Sequence, residues 1–112
     1  MTDSASPLVG RDAASTMPLE PGRLSALMLR HGSMELRWYA PKGADPQVPH
    51  DKDEVYVVVS GSGRFVCGDR TVMFQPGDAL FVPAQATHRF EDFSDDFATW
   101  VIFYGPVGGE SP

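Results

Sequence analysis

Residues 50–61 read HDKDEVYVVVSG, and residues 77–92 read GDALFVPAQATHRFED. In the first stretch, Val55 to Ser60 is dominated by β-branched residues and is apolar on both faces, the pattern of a strand covered on both sides. Gly61-Ser62-Gly63 then turns the chain. In the second stretch Pro76-Gly77-Asp78 is a turn, and Ala79 to Val82 is a short strand stopped by Pro83. After four more residues His88 opens another strand.

Reading outward from these segments, Met34, Leu36 and Trp38 alternate with Glu35, Arg37 and Tyr39, which predicts a half-buried strand. A similar alternation from Leu24 to Arg30 precedes it, and His31-Gly32-Ser33 between them makes the pair a hairpin. Residues 40–49 carry three prolines and Gly43, so they form a loop. Arg64–Cys67 and Thr71–Phe74 flank a turn at Gly68-Asp69-Arg70, and Ala98–Tyr104 is the last strand. No segment holds a helical period over three turns. Short strands separated by turns every eight to twelve residues predict an all-β sandwich or barrel. Residues 1–20 are expected to be a flexible N-terminal arm, residues 21–112 a single domain, and the Gly- and Pro-rich end from Gly105 a frayed tail.

The 112 residues suffice for one core. The 11 Gly and 10 Pro agree with many turns. A net charge of −6 argues against nucleic acid as a partner. No apolar run reaches the roughly 18 to 20 residues that span a bilayer, so no membrane segment is expected. The first residues lack the basic start and apolar stretch of a secretion signal. One cysteine, Cys67, allows no intrachain disulfide and suits a reducing compartment, so the expected location is cytoplasmic.

The residues able to do chemistry lie in the two opening stretches. On an extended strand His50, Glu54, Tyr56 and Val58 share one face. His50 and Glu54 would then stand about 13 Å apart, too far for one ion unless the chain bends at Asp51 to Asp53. His88, at the start of a strand just after a turn, can aim into the interior. Taken singly, each histidine reads more readily as a surface residue, and strand parity does not bring the three together. Arg37 and Arg64 read as exposed salt-bridge partners, Cys67 as core and His31 as surface. Trp38 or Trp100 is placed to close a pocket from a neighbouring strand.

The two stretches resemble the paired motifs of the cupin superfamily. The first motif, G-x5-H-x-H-x(3 or 4)-E-x6-G, is matched by His50, Glu54 and Gly61. The second, G-x5-P-x-G-x2-H-x3-N, is matched by Gly77, Pro83 and His88. The resemblance covers roughly residues 43–92. It departs at four places. Val48 stands where the first histidine belongs, Gln85 replaces the second glycine of the second motif, Asp92 replaces its asparagine, and Gly43 sits one place beyond the expected position.

The resemblance implies a double-stranded β-helix, the jelly-roll cupin barrel, with a metal held by His50, Glu54 and His88. The implied cofactor is a divalent transition metal: Fe, Mn, Ni or Zn. Two histidines and a carboxylate form the ligand set of a facial triad, which keeps coordination positions open. Gln47 or a water is available for the place left by Val48, although Gln47 has the wrong parity in a regular strand. A dioxygenase-type enzyme acting on a small-molecule substrate is the favoured expectation, and isomerase or decarboxylase chemistry is also compatible. The alternative is a small-ligand-binding or sensor protein with a weak or structural metal. Tyr56 is the candidate to orient substrate or shuttle a proton. The second apolar face of the central strand, Val55, Val57 and Val59, needs cover, and a homodimer is expected to supply it.

Overall fold

A computed structural model describes residues 6–112. The described residues form a short helix, α1 (Arg11–Ser15), and eight strands: β1 (Ala26–His31), β2 (Met34–Tyr39), β3 (Asp53–Ser60), β4 (Gly63–Cys67), β5 (Arg70–Phe74), β6 (Ala79–Val82), β7 (His88–Glu91) and β8 (Ala98–Tyr104). The strands fall where alternation and turn residues place them.

The strands make two antiparallel sheets. The larger has the order β1-β2-β8-β3-β6 and the smaller β5-β4-β7. Among the described residues no strand pairing joins the two sheets, so the architecture is a β-sandwich and the expected closure into a barrel is not made by hydrogen bonds. On β3 the inward residues Glu54, Tyr56 and Val58 are buried, while Val55, Val57 and Val59 face outward and are half-buried. The strict period of two on each strand produces this division.

The core between the sheets is aromatic. Phe90 on β7 is its hub, with ring centroids 4.8 Å from Tyr56, 4.8 Å from Phe65, 5.4 Å from Phe74 and 4.6 Å from Phe97. Tyr39, Val58, Val82 and Val101 complete it. A second cluster lies on the outer face of the larger sheet. There Trp38 packs edge-on against Trp100 at 4.8 Å, next to Ala26, Ala98 and the fully buried Ala14 of α1. The two tryptophans therefore do not close an interior pocket, because they project from the opposite face.

The stretch expected as an arm thus contributes a helix that covers part of the outer face. Five residues are too few to display a helical period, which is why composition gave no sign of it. The expectation for residues 1–5 lies outside the described residues.

Three motif positions carry left-handed backbone that constrains the side chain. Gly61 has φ +82°, and a Cβ there would stand 2.5 Å from the Cα of Phe97, so no larger residue fits. Gln85 and Asp92 also adopt left-handed backbone, at φ +73° and +50°. These are the positions where the resembling motif has glycine and asparagine, residues that enter this region at little cost. Gln85 is held there by its N–H, which donates to the carbonyl of His50 at 2.7 Å. Gln85→Gly should therefore stabilise the protein by about 1 kcal/mol in urea unfolding, by removing side-chain strain in the left-handed region. Gly61→Ala should destabilise it by at least about 2 kcal/mol, since strain and overlap add.

Candidate metal centre

The site joins three pieces of backbone. Glu54 comes from β3 in the larger sheet, His88 from the first residue of β7 in the smaller sheet, and His50 from the loop before β3. The chain bends at Asp51 and Lys52, before β3 begins at Asp53. Backbone bonds pin the bend: Gln85 N–H donates to His50 O at 2.7 Å, and Gly108 N–H to Asp51 O at 2.6 Å. The bend removes the separation that a straight strand would impose. It also frees Lys52 from the interior, and its Nζ donates to Ser33 O at 3.3 Å.

His50 Nε2 lies 2.7 Å and His88 Nε2 3.2 Å from the same oxygen, Glu54 Oε1. One ligand atom from each of the three residues lies within 4.8 Å of the others. Glu54 is 1% exposed and His88 3%. Phe103 packs edge-on against the His50 ring at 4.8 Å.

The far side of each ring decides what the near side can do. His50 Nδ1–H donates to Lys52 O and His88 Nδ1–H donates to Ala86 O, both at 2.9 Å. With Nδ1 carrying the proton, a neutral imidazole presents a lone pair at Nε2. Two such lone pairs would then face a carboxylate oxygen, an arrangement that a bound cation, or a proton on Nε2, completes. His88 Nε2 is buried with no properly oriented hydrogen-bond partner. An imidazole whose other nitrogen is anchored on a backbone carbonyl is also the usual form of a metal-ligating histidine. The donor set therefore fits a divalent transition metal.

Charge couples the three groups. Burial acts to raise the Glu54 pKa, but hydrogen bonding and charge from His50 and His88 hold it below its ordinary range. Burial acts to lower the His88 pKa, and the Glu54 carboxylate overcomes this and raises it. Tyr56 is fully buried. Burial, then the charge of Glu54, pushes its pKa well above 10, so it stays a phenol.

Val48 is 71% exposed, so its side chain turns away from the site. Gln47 is half-buried and does face the interior, because residues 40–52 form no regular strand and parity does not apply. Gln47 Oε1 accepts from the Tyr56 hydroxyl at 3.0 Å, and Gln47 Nε2 donates to Asp45 Oδ2 at 2.7 Å. Asp45 also accepts from the Tyr39 hydroxyl and from Phe90 N–H. Sequence reading did not find Asp45, since only loop geometry brings it to the interior. Arg64 pairs with Glu91 and Asp92, as expected of a surface arginine. Arg37 is 1% exposed, which corrects the expectation of a surface pair. It faces inward on the parity of Tyr39, bonded to Glu35 at 2.9 Å and to Ser25 O at 3.1 Å.

Comparison with known proteins gives a consistent picture. The sequence profile of the family described as Cupin domain matches residues 35–104. An uncharacterized protein of Streptomyces coelicolor is 38% identical over 80 residues, spanning 70% of this chain and 76% of that protein. The solved structure of a cupin 2 conserved barrel domain protein from Salinispora arenicola superposes with a TM-score of 0.66 over 90% of each chain, at 17% identity. A structure from a study of DMSP lyases superposes with a TM-score of 0.59 at 27% identity, covering 69% of this chain and 41% of that one.

In chelator-treated protein His88 Nε2 can take up a proton beside the Glu54 carboxylate. Imidazole NMR titration should place His88 above the ordinary 6.5, and Glu54→Gln should move it downward. Because the folded value is raised, the stability that His88 contributes is full below about 6.5 and is lost as pH rises through the folded value.

Proposed function

We propose, on the premise that this chain belongs to the cupin domain family, that it is a metal-dependent enzyme acting on a small molecule between its two sheets. The observation that supports this is the convergence of His50, Glu54 and His88 with both histidine Nδ1 atoms anchored on carbonyls. The metal is read as Fe, Mn, Ni or Zn, held by those three residues. When bound, such an ion supplies Lewis acidity and, for a redox-active metal, the capacity to work with dioxygen.

The remaining groups bind and position. The backbone anchors Lys52 O and Ala86 O fix the ring planes, and Phe103 and Phe65 stand beside the rings of His50 and His88. Tyr56, kept protonated by burial, acts as a hydrogen-bond group that orients substrate and not as a base. Three protein ligands leave open positions, which favours dioxygenase-type chemistry. A second reading, lyase chemistry, draws support from the likeness to the DMSP lyase structure at 27% identity.

The protein is further read as a cytoplasmic homodimer. Its lone Cys67 suits a reducing compartment, and none of its described helices is long and apolar enough to cross a membrane. Half-buried Leu36, Val57, Trp100 and Ile102 on the larger sheet, with exposed Leu29 and Leu8, form the face offered to a second copy. The net charge of −6 favours no nucleic-acid partner.

Protein purified without chelator should carry metal near one equivalent per chain by elemental analysis. His88→Ala and Glu54→Ala should weaken metal affinity by at least about 100-fold, because losing outer partners alone costs 10- to 100-fold. Oxygen consumption with a panel of diketones, flavonols and thiols separates the two chemistries. Substrate-dependent uptake supports the dioxygenase, turnover without uptake supports the lyase, and metal-free wild-type protein rejects the metal centre. Light scattering at micromolar concentration should give twice the chain mass, and Leu36→Lys should give the monomer.

A further inference from the structure

The sandwich is open along one side, between the edge strand β6 of the larger sheet and the edge strand β5 of the smaller. A cavity of about 460 Å³ occupies this opening, lined by Phe65, Cys67, Arg70, Val72, Leu80 and Phe81 among others. Its size suits one small ligand. Its walls are apolar apart from one charge. Burial and the nearby charge of Glu54 raise the Cys67 thiol pKa, so that side chain stays neutral.

The charge is Arg70. It pairs across β5 and β4 with Cys67, and Cys67 pairs across β4 and β7 with His88. Directly opposed residues in neighbouring strands project to the same face. Arg70, Cys67 and His88 therefore form one row on the inner face of the smaller sheet. Two strand spacings place Arg70 roughly 10 Å from His88 between backbones. The other cavity-lining arginines are neutralised, Arg64 by Glu91 and Asp92, and Arg89 by Glu91. Among the described residues Arg70 has no carboxylate within ion-pair distance.

We propose that this opening between β5 and β6 is the substrate-binding pocket, and that it selects small carboxylates with an apolar body. Arg70 holds the carboxylate at the rim, the apolar part lies against Phe65, Cys67 and Leu80, and the other end points along the row toward His88. An unpaired guanidinium beside apolar walls is the arrangement that distinguishes an acid from its neutral amide. The identity of the reacting end rests on the metal-centre reading, whereas the pocket and its selectivity do not.

Calorimetry of the full chain with 3-phenylpropanoate and 3-phenylpropanamide tests this. The acid should bind at least about 10-fold more tightly than the amide, in keeping with one charge-assisted contact. Arg70→Gln should erase the difference while leaving metal content unchanged, and Arg64→Gln should preserve it. Equal affinity or no binding of the two probes to wild type overturns the proposal. A preference that survives in Arg70→Gln also overturns it, since the acid would then be held elsewhere, the metal included. His88→Ala separates the two readings: it should lose metal and keep the preference. If that variant keeps its metal, the metal-centre reading fails and the pocket is still judged by the Arg70 result.

Discussion

A carboxylate as deeply buried as that of Glu54 is stable in its charged form only with positive charge or strong donors beside it. Two imidazoles stand on one oxygen, each with its Nδ1 proton turned away toward a backbone carbonyl, so neutral rings leave that demand to a bound cation or to a proton on Nε2. The carbonyls belong to residues two positions from each histidine, so the local bend of the main chain sets the ring orientation. The ligand set is consequently fixed by the backbone at both rings before any ion enters. Pre-orientation of this kind is what a metal site needs if binding is to cost little reorganisation.

The same constraint ties the centre to the core. Glu54 and His88 belong to opposite sheets, so the distance between their side chains is set by the spacing of the sheets. Phe90 stands two residues after His88 on the same face, in contact with Tyr56, two residues after Glu54. Aromatic packing thus sets the sheet spacing at the point where the ligands meet. Asp45 adds a polar clamp, since one carboxylate accepts from the Phe90 backbone in the smaller sheet, from the Tyr39 hydroxyl in the larger, and from Gln47 in the loop between.

The strands were legible from alternation or β-branched runs, with Gly or Pro beside most of them, and all eight lie at the segments so read, with some ends shifted by one or two residues. The centre was legible only through the paired motif spacing. Parity placed His50 and Glu54 on one face but at a separation that no single ion spans, and the closure comes from a bend at Asp51 and Lys52 held by Gln85 and Gly108. Those partners are remote in sequence and leave no periodic trace. Inside and outside were harder still. Trp38 and Arg37 are adjacent, and alternation says only that they face opposite ways, so the tryptophan lies outside under α1 and the arginine inside with Glu35. Hydrophobicity alone would assign them in reverse. The arginine is tolerated because Glu35 and Ser25 O satisfy it.

The substitution at Val48 takes on a different meaning once Gln47 is considered with it. An exposed valine does not leave a hole in a ligand cage, because the loop at that point carries its side chain outward. What faces inward is Gln47, its amide nitrogen held by Asp45 and its amide oxygen by Tyr56. An amide oxygen has two lone pairs, and the Tyr56 proton uses one. Tyr56 in turn has no other proton to give, and its raised pKa keeps that one in place at neutral pH. Any group entering the interior beside Glu54 therefore meets a hydrogen-bonded pair and not a free base. To engage Tyr56 it must accept the proton that Gln47 now holds, or donate to the phenolic oxygen and leave the pair intact. Either way the pair discriminates by geometry, and the protein's contribution at this end of the site is to orient a ligand.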